Sequence, residues 1–149
     1  MSSSPEARDE RHSLPVPQPT AVQEEYFAGL RRHETLIPRC DACGSWQWYP
    51  REMCASCHGW SMSWRAVEPV GEVYSFTTQH HATGSKFDVM LPYTVALVAL
   101  DEAPGVRLVG RLVDVRPHDA RIGLRVRGTY VDATEETTYL VFGSTGVTE

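Results

Sequence analysis

The residues that could do chemistry here are the four cysteines, which fall in two pairs, Cys40-Asp41-Ala42-Cys43 and Cys54-Ala55-Ser56-Cys57. Ten residues separate the pairs, and no other cysteine occurs in the chain. A C-x-x-C turn can present two sulfurs to one ion, and two such turns complete the tetrahedron of thiolates that zinc favours. With all four positions filled by protein, such a metal is structural rather than catalytic. Iron in a rubredoxin-like centre would use the same four sulfurs and stays open beside zinc. Two disulfides are a further reading. With no secretory signal peptide read ahead of the pairs, reduced thiols in the cytoplasm are the expectation instead. Cys54 to His58 also spells C-x-x-C-H, a c-type haem attachment sequence, but the first pair explains the second better than haem does.

No other set of residues reads as a self-sufficient active site. The cysteines are spent on metal, so none is left as a nucleophile. There is no G-x-S-x-G, no phosphate-binding P-loop and no dinucleotide fingerprint. The best local candidate is the connection from Gln79 to Asp88, which carries His80, His81 and Lys86. A loop of that length in a small domain is often functional. His80 or His81 could move a proton and Lys86 could meet a phosphate. A solvated loop, or one that contacts a partner, is the plainer expectation.

These residues need elements to hold them. Residues 1–19 contain Ser2-Ser3-Ser4 and four prolines with few bulky apolar groups, the composition of a disordered tail or linker. Residues 20–35 read as a helix over Thr20–His33, with Thr20 and Gln23 in the capping-box positions. Val22, Tyr26, Phe27 and Leu30 then share one face, which would pack on its own domain or dock on a partner. Residues 36–66 form the zinc ribbon. Trp46, Trp48, Tyr49, Met53 and Trp60 exceed what so small a unit can bury, so some should pack on a neighbouring module or partner. Stacking on bases is the rival use for them. Residues 67–143 are rich in strands: Val73–Thr77, Tyr93–Leu100, Val106–Val113, Ile122–Tyr130 and Thr138–Phe142. The near-continuous apolar run Tyr93–Leu100 suggests a strand buried on both faces. Gly71 permits a bulge or bend before the first strand. Five strands with little helix among them point to a small closed barrel of the OB type, and residues 144–149 form a tail. The fold class is therefore mainly β: an N-terminal helix, a zinc ribbon, then a five-stranded OB-fold.

Charge narrows the function. The formal net charge of −5 argues against a general nucleic-acid binder, which needs a positive field. A single-stranded nucleic-acid module nonetheless stays as the alternative, because ribbons and OB barrels both serve that role. An independent enzyme using His80 or His81 is a third class. No apolar run approaches the roughly 20 residues of a membrane-spanning helix.

Several segments agree, in order, with one family: Pro38–Gly44, Gly71–Thr77, Leu91–Leu100 and Ile122–Val126. Together they resemble the rubredoxin-like zinc-ribbon plus OB-fold family catalogued as domain of unknown function 35, over roughly Thr20 to Phe142. The resemblance implies that Cys40, Cys43, Cys54 and Cys57 are the metal ligands. His58 departs from it, since many members have glycine or another small residue there. Family members are associated with acyl-CoA and accompany thiolases and sterol carrier protein-type thiolase homologues. Some are fused to, or act beside, a MaoC-like enoyl-CoA hydratase in steroid side-chain degradation, where one member partners a thiolase-like aldolase. The resemblance thus implies an accessory subunit, not catalytic alone, in a hetero-oligomer with a thiolase-like aldolase or acyltransferase. A coenzyme A ligand calls for cations beside an apolar slot. Arg107, Arg111, Arg125 and Arg127, alternating on their strands, join Lys86 as candidates, although solvated strand arginines would look the same.

Overall fold

The computed structural model describes residues 15–82, 84 and 90–146. An extended run from Pro15 leads into a 3-10 turn, Ala21–Gln23, and then helix α1, Glu24–Arg31. The Thr20 amide donates to Gln23 Oε1 at 3.1 Å, so the predicted start signal operates. The helix is shorter than the periodicity suggests because the chain turns left-handed at His33 (φ 59°). There the Arg32 and Glu34 amides both close on the Gly29 carbonyl at 2.9 Å.

Strand β1 (Thr35–Cys40) pairs antiparallel with β2 (Met62–Val67), with Thr35 opposite Val67 and Cys40 opposite Met62. This two-stranded sheet carries the cysteine turns at its far end. Strands β3 (Val70–Gln79), β4 (Tyr93–Leu100), β5 (Arg107–Leu112), β6 (Arg125–Asp132) and β7 (Thr138–Ser144) close a barrel in the order β3-β4-β5-β7-β6. All pairings are antiparallel except β5 with β7, where Leu112 lies opposite Phe142. That strand order, with its one parallel seam, is the OB-fold. Gly71 is required where β3 crosses β4: a Cβ there would sit 1.9 Å from the Ala99 carbonyl oxygen. The expected bulge follows, as a register shift between Val73 and Ser75.

One expectation fails. Strand β4 is not buried on both faces. Thr94, Ala96, Val98 and Leu100 point into the barrel, while Tyr93, Val95, Leu97 and Ala99 are only half-buried outside. A continuous apolar run does not say which of its faces is covered, and here the outer face is only partly covered.

The core is continuous across ribbon and barrel. Leu30 of α1 and Ile37 of β1 belong to the same buried cluster as Val98, Leu108, Val126 and Phe142. The helix stripe therefore packs on its own chain: Leu30 is buried, and Tyr26 and Phe27 pack against the cluster. Val22 instead lines a shallow groove with Pro38, Trp60 and Trp64. Polar contacts fix the junction. Buried Thr35 Oγ1 lies 2.8 Å from the Tyr130 hydroxyl. The His33 ring stacks on Tyr130 at 5.1 Å and meets Asp132 at 2.9 Å, and Thr138 also donates to that carboxylate at 2.7 Å. Among the described residues, no helix is long and apolar enough to cross a membrane.

Candidate metal centre and its surroundings

The two cysteine turns repeat one backbone pattern. The Cys40 amide donates to the Ser45 carbonyl and the Gly44 amide to the Cys40 carbonyl, both at 2.9 Å. Equivalently, Cys54 donates to Gly59 at 2.8 Å and His58 to Cys54 at 3.0 Å. The residue after the second cysteine of each turn is left-handed: Gly44 at φ 75° and His58 at φ 61°. Glycine adopts that conformation freely and histidine does so at a cost, so His58 is the strained member of the pair.

The folding of β1 onto β2 brings the turns together. All four Sγ atoms lie within 4.8 Å of one another, with Cys40 to Cys57 and Cys43 to Cys54 at 3.6 Å. A tetrahedron of zinc–sulfur bonds of ~2.3 Å places its sulfurs about 3.8 Å apart, so the spacing fits a bound ion. It is too long for the ~2.0 Å of a disulfide, and all four thiols are free. Cys54 and Cys57 are thus paired with Cys40 and Cys43, and the C-x-x-C-H run is simply the second turn. His58 does not join the cluster.

Donors aimed at the sulfurs favour the thiolate that a metal needs. The Ser45 hydroxyl, 3.2 Å from Cys43 Sγ, and the Ser45 amide hold Cys43 down to about 6. The Cys57 and Ser56 amides lower Cys54. Cys57 goes the other way, up to about 11: the Gly59 amide lowers it, but its three sulfur neighbours together oppose a further negative charge. A cation at the centre removes that repulsion.

Two polar side chains that the sequence did not single out brace the site. Asp41, inside the first turn, accepts from the Ser61 and Ser63 hydroxyls at 2.8 and 2.9 Å. Those hydroxyls, with Arg65 further off, lower its pKa. Gln47, buried in the loop between the turns, accepts from the Ala55 amide at 3.0 Å and donates to the Tyr49 carbonyl at 3.3 Å. An acid followed 20 and 22 residues later by serines, or one glutamine near two C-x-x-C turns, is too weak a pattern to find in sequence.

The ribbon's aromatics divide. Trp46 and Trp48 pack against the common core, with Arg39 over Trp46 at 5.0 Å and Tyr26 against Trp48 at 4.9 Å. Tyr49 and Trp60 stay outside, 61% and 71% exposed, and Met53 is also exposed.

The remaining candidates do not converge. His80 and His81 are exposed at the end of β3 and meet no described acid or base. Lys86 lies outside the described residues. Arg125 forks onto Asp101, and Arg127 meets Glu68 at 3.3 Å. Arg107 and Arg111 have no carboxylate partner among the described residues, and the Arg107 guanidinium lies 3.8 Å over the Tyr74 ring.

Comparison with known proteins matches this arrangement in two adjoining pieces. Residues 27–62 match the ChsH2 rubredoxin-like zinc ribbon domain, and residues 64–131 match the ChsH2 C-terminal OB-fold domain. The donor set and spacing, with this match, support structural zinc at the four cysteines. A probable enoyl-CoA hydratase alpha subunit of Thermomonospora curvata is 36% identical over 119 residues, 78% of this chain. A 3-oxo-4,17-pregnadiene-20-carboxyl-CoA hydratase alpha subunit of Mycobacterium tuberculosis is 32% identical over 114 residues, 76% of this chain. The match spans only 35% of the length of each of these relatives. Among solved structures, a chain of the Ltp2-ChsH2(DUF35) aldolase superposes with a TM-score of 0.79 at 30% identity, covering 87% of this chain and 99% of that one.

Proposed function

Because this chain belongs to the DUF35 family of joined zinc-ribbon and OB-fold domains that includes ChsH2, we propose that it is the accessory subunit of a thiolase-like enzyme, specifically an aldolase that cleaves a hydroxyacyl-CoA in steroid side-chain degradation. The observation that carries this reading is the end-to-end match to the ChsH2(DUF35) chain of an aldolase assembled with Ltp2. The steroid thioester in the mycobacterial relative's name supports the substrate class. A MaoC-like hydratase is the further partner that both hydratase relatives suggest.

Cleaving a β-hydroxyacyl thioester requires a base for the hydroxyl proton and donors for the enolate oxygen that develops. The described residues gather neither. In this reading the partner supplies both, and this chain contributes a rigid surface and part of the acyl-CoA site. Bound zinc supplies no chemistry to the substrate; it joins the two turns that hold Trp48 and Tyr49 in place.

The test is recovery of the tagged, full-length chain from its native host at moderate salt, with co-purifying proteins identified by mass spectrometry. A thiolase-like protein in fixed ratio is expected, with hydroxyacyl-CoA cleavage by the pair and none by this chain alone. A chain that cleaves at an enzymatic rate by itself overturns the accessory role. Salt-sensitive recovery of nucleic acid instead favours a single-stranded nucleic-acid module.

A further inference from the structure

On the outer surface of β3, β4 and β5 an apolar stripe runs between two arginines. Leu97 of β4 lies opposite Val109 of β5, with Val95 opposite Arg111 on one side and Ala99 opposite Arg107 on the other. Val109 is 56% exposed and Tyr74 of β3 is 48% exposed, while Val95 and Leu97 are half-buried. The alternate residues of these strands already fill the barrel, so the outward row is surplus to the chain's own core. An apolar sheet face of this kind is what a packed helix or second sheet covers.

The arginines say what chemistry the cover carries. Arg107 and Arg111 meet no carboxylate among the described residues, whereas Arg125 and Arg127 are paired with Asp101 and Glu68. Glu72, the acid on the same row of the sheet, stands opposite Arg125 of β6. The Arg107 side chain is also held in place: its guanidinium reaches across β4 and stacks 3.8 Å over the Tyr74 ring. Stacking fixes its plane, and its N–H edge has no acceptor among the described residues. A guanidinium so placed is a preorganised receptor for a carboxylate. Nucleic acid is the poorer fit. Bases stack on open aromatic faces, yet Arg107 covers the Tyr74 ring and the middle of the stripe is aliphatic. The net charge of −5 also opposes a phosphate backbone.

We propose that the outer face of β3, β4 and β5 docks an acidic amphipathic helix of the thiolase-like partner. Its aliphatic residues would lie on Val95, Leu97 and Val109, and its carboxylates on Arg107 and Arg111. The assignment rests on the subunit reading above and deepens it, by giving the partner a place on the barrel. Four strand positions separate the arginines, a span of roughly 13 Å. Acids two turns apart on a helix lying along β5 are roughly 11 Å apart, a mismatch that long arginine side chains absorb. The arginines set approach and orientation, and the apolar contact at Val109 holds the complex together.

The test is calorimetric titration of the zinc-loaded, full-length chain with the thiolase-like subunit recovered with it, at low and high salt. Val109→Glu should weaken binding at least tenfold, and so should Arg107→Glu with Arg111→Glu. The milder pair Arg107→Gln with Arg111→Gln, which keeps side-chain bulk, should weaken binding and flatten its salt dependence. Melting temperature and zinc content, read beside each titration, show that the variants are folded. Trp60→Ala, on a ribbon side chain 71% exposed, should leave affinity unchanged. Binding unaffected by Val109→Glu or by the glutamate pair overturns the proposal and leaves the subunit role standing. An equal loss on Trp60→Ala overturns it too, since the ribbon then carries the contact. Failure of the unsubstituted chain to recover any thiolase-like protein overturns both readings. Oligothymidylate binding, or self-association by sedimentation, that the glutamate pair abolishes would assign the face to nucleic acid or to a second copy and overturn the proposal.

Discussion

Replacing Gln47 by alanine tests whether the brace between the cysteine turns belongs to the metal site. The substitution removes the 3.0 Å bond from the Ala55 amide and the 3.3 Å bond to the Tyr49 carbonyl, at a residue that is 8% exposed. Each hydrogen bond contributes roughly 1 kcal/mol net. The lost methylene adds about 0.8 kcal/mol of burial. The Gln47 amide keeps its bond to Pro38, so the loop path survives and the loss stays local. The expected cost is about 2–3 kcal/mol, a roughly 30- to 150-fold change in an equilibrium constant. In a ribbon whose folding and metal binding are one equilibrium, that loss must appear in zinc affinity. The assay is competition for zinc with a chromogenic chelator, run beside thermal unfolding. A lower melting temperature with unchanged zinc affinity would show that the brace serves the fold but not the ion, and would refute the coupling.

Three further outcomes are expected. His58→Gly relieves the left-handed strain at φ 61° and should stabilise the chain by roughly 1 kcal/mol. It should raise the melting temperature while zinc content, measured by elemental analysis, is unchanged. Asp132 has its pKa lowered by the His33 ring first and then by Thr138. A carboxylate depressed in the folded state contributes stability above its unfolded pKa of about 3.9, lost as pH falls through the lower folded value. Denaturation midpoints of the wild type and Asp132→Asn should therefore converge as pH drops below about 4; parallel curves would count against it. Gly71→Ala would drive a Cβ to within 1.9 Å of the Ala99 carbonyl oxygen. It should abolish soluble expression, or lower the melting temperature severely by calorimetry.

What could be read from sequence was what repeats locally. The C-x-x-C spacing gave the sulfur cluster, helical spacing gave the packed face of Tyr26, Phe27 and Leu30, and runs of β-formers gave all five barrel strands. Partners from distant segments left no such trace. Arg107 and Arg111 alternate just as Arg125 and Arg127 do. Only the folded chain brings Asp101 and Glu68 to the second pair and leaves the first without them. Asp41 and Gln47 act through contacts with residues 22 and 8 positions away, respectively. Strand β2 pairs back across the whole ribbon, and its sequence, Met62–Val67, lacks a clean alternation to announce it.

The continuity of the core has a consequence for the life of the protein in a cell. Leu30 of the helix and Ile37 of the ribbon belong to the same buried cluster as the barrel's interior residues, so the ribbon is packed onto the barrel instead of hanging from it. A chain that misses its metal during synthesis would expose barrel interior as well as loosened cysteine turns. Proteases and chaperones act on the open population, so such a chain is open to removal. Metal supply then becomes a checkpoint on abundance, exercised before any partner or ligand is met.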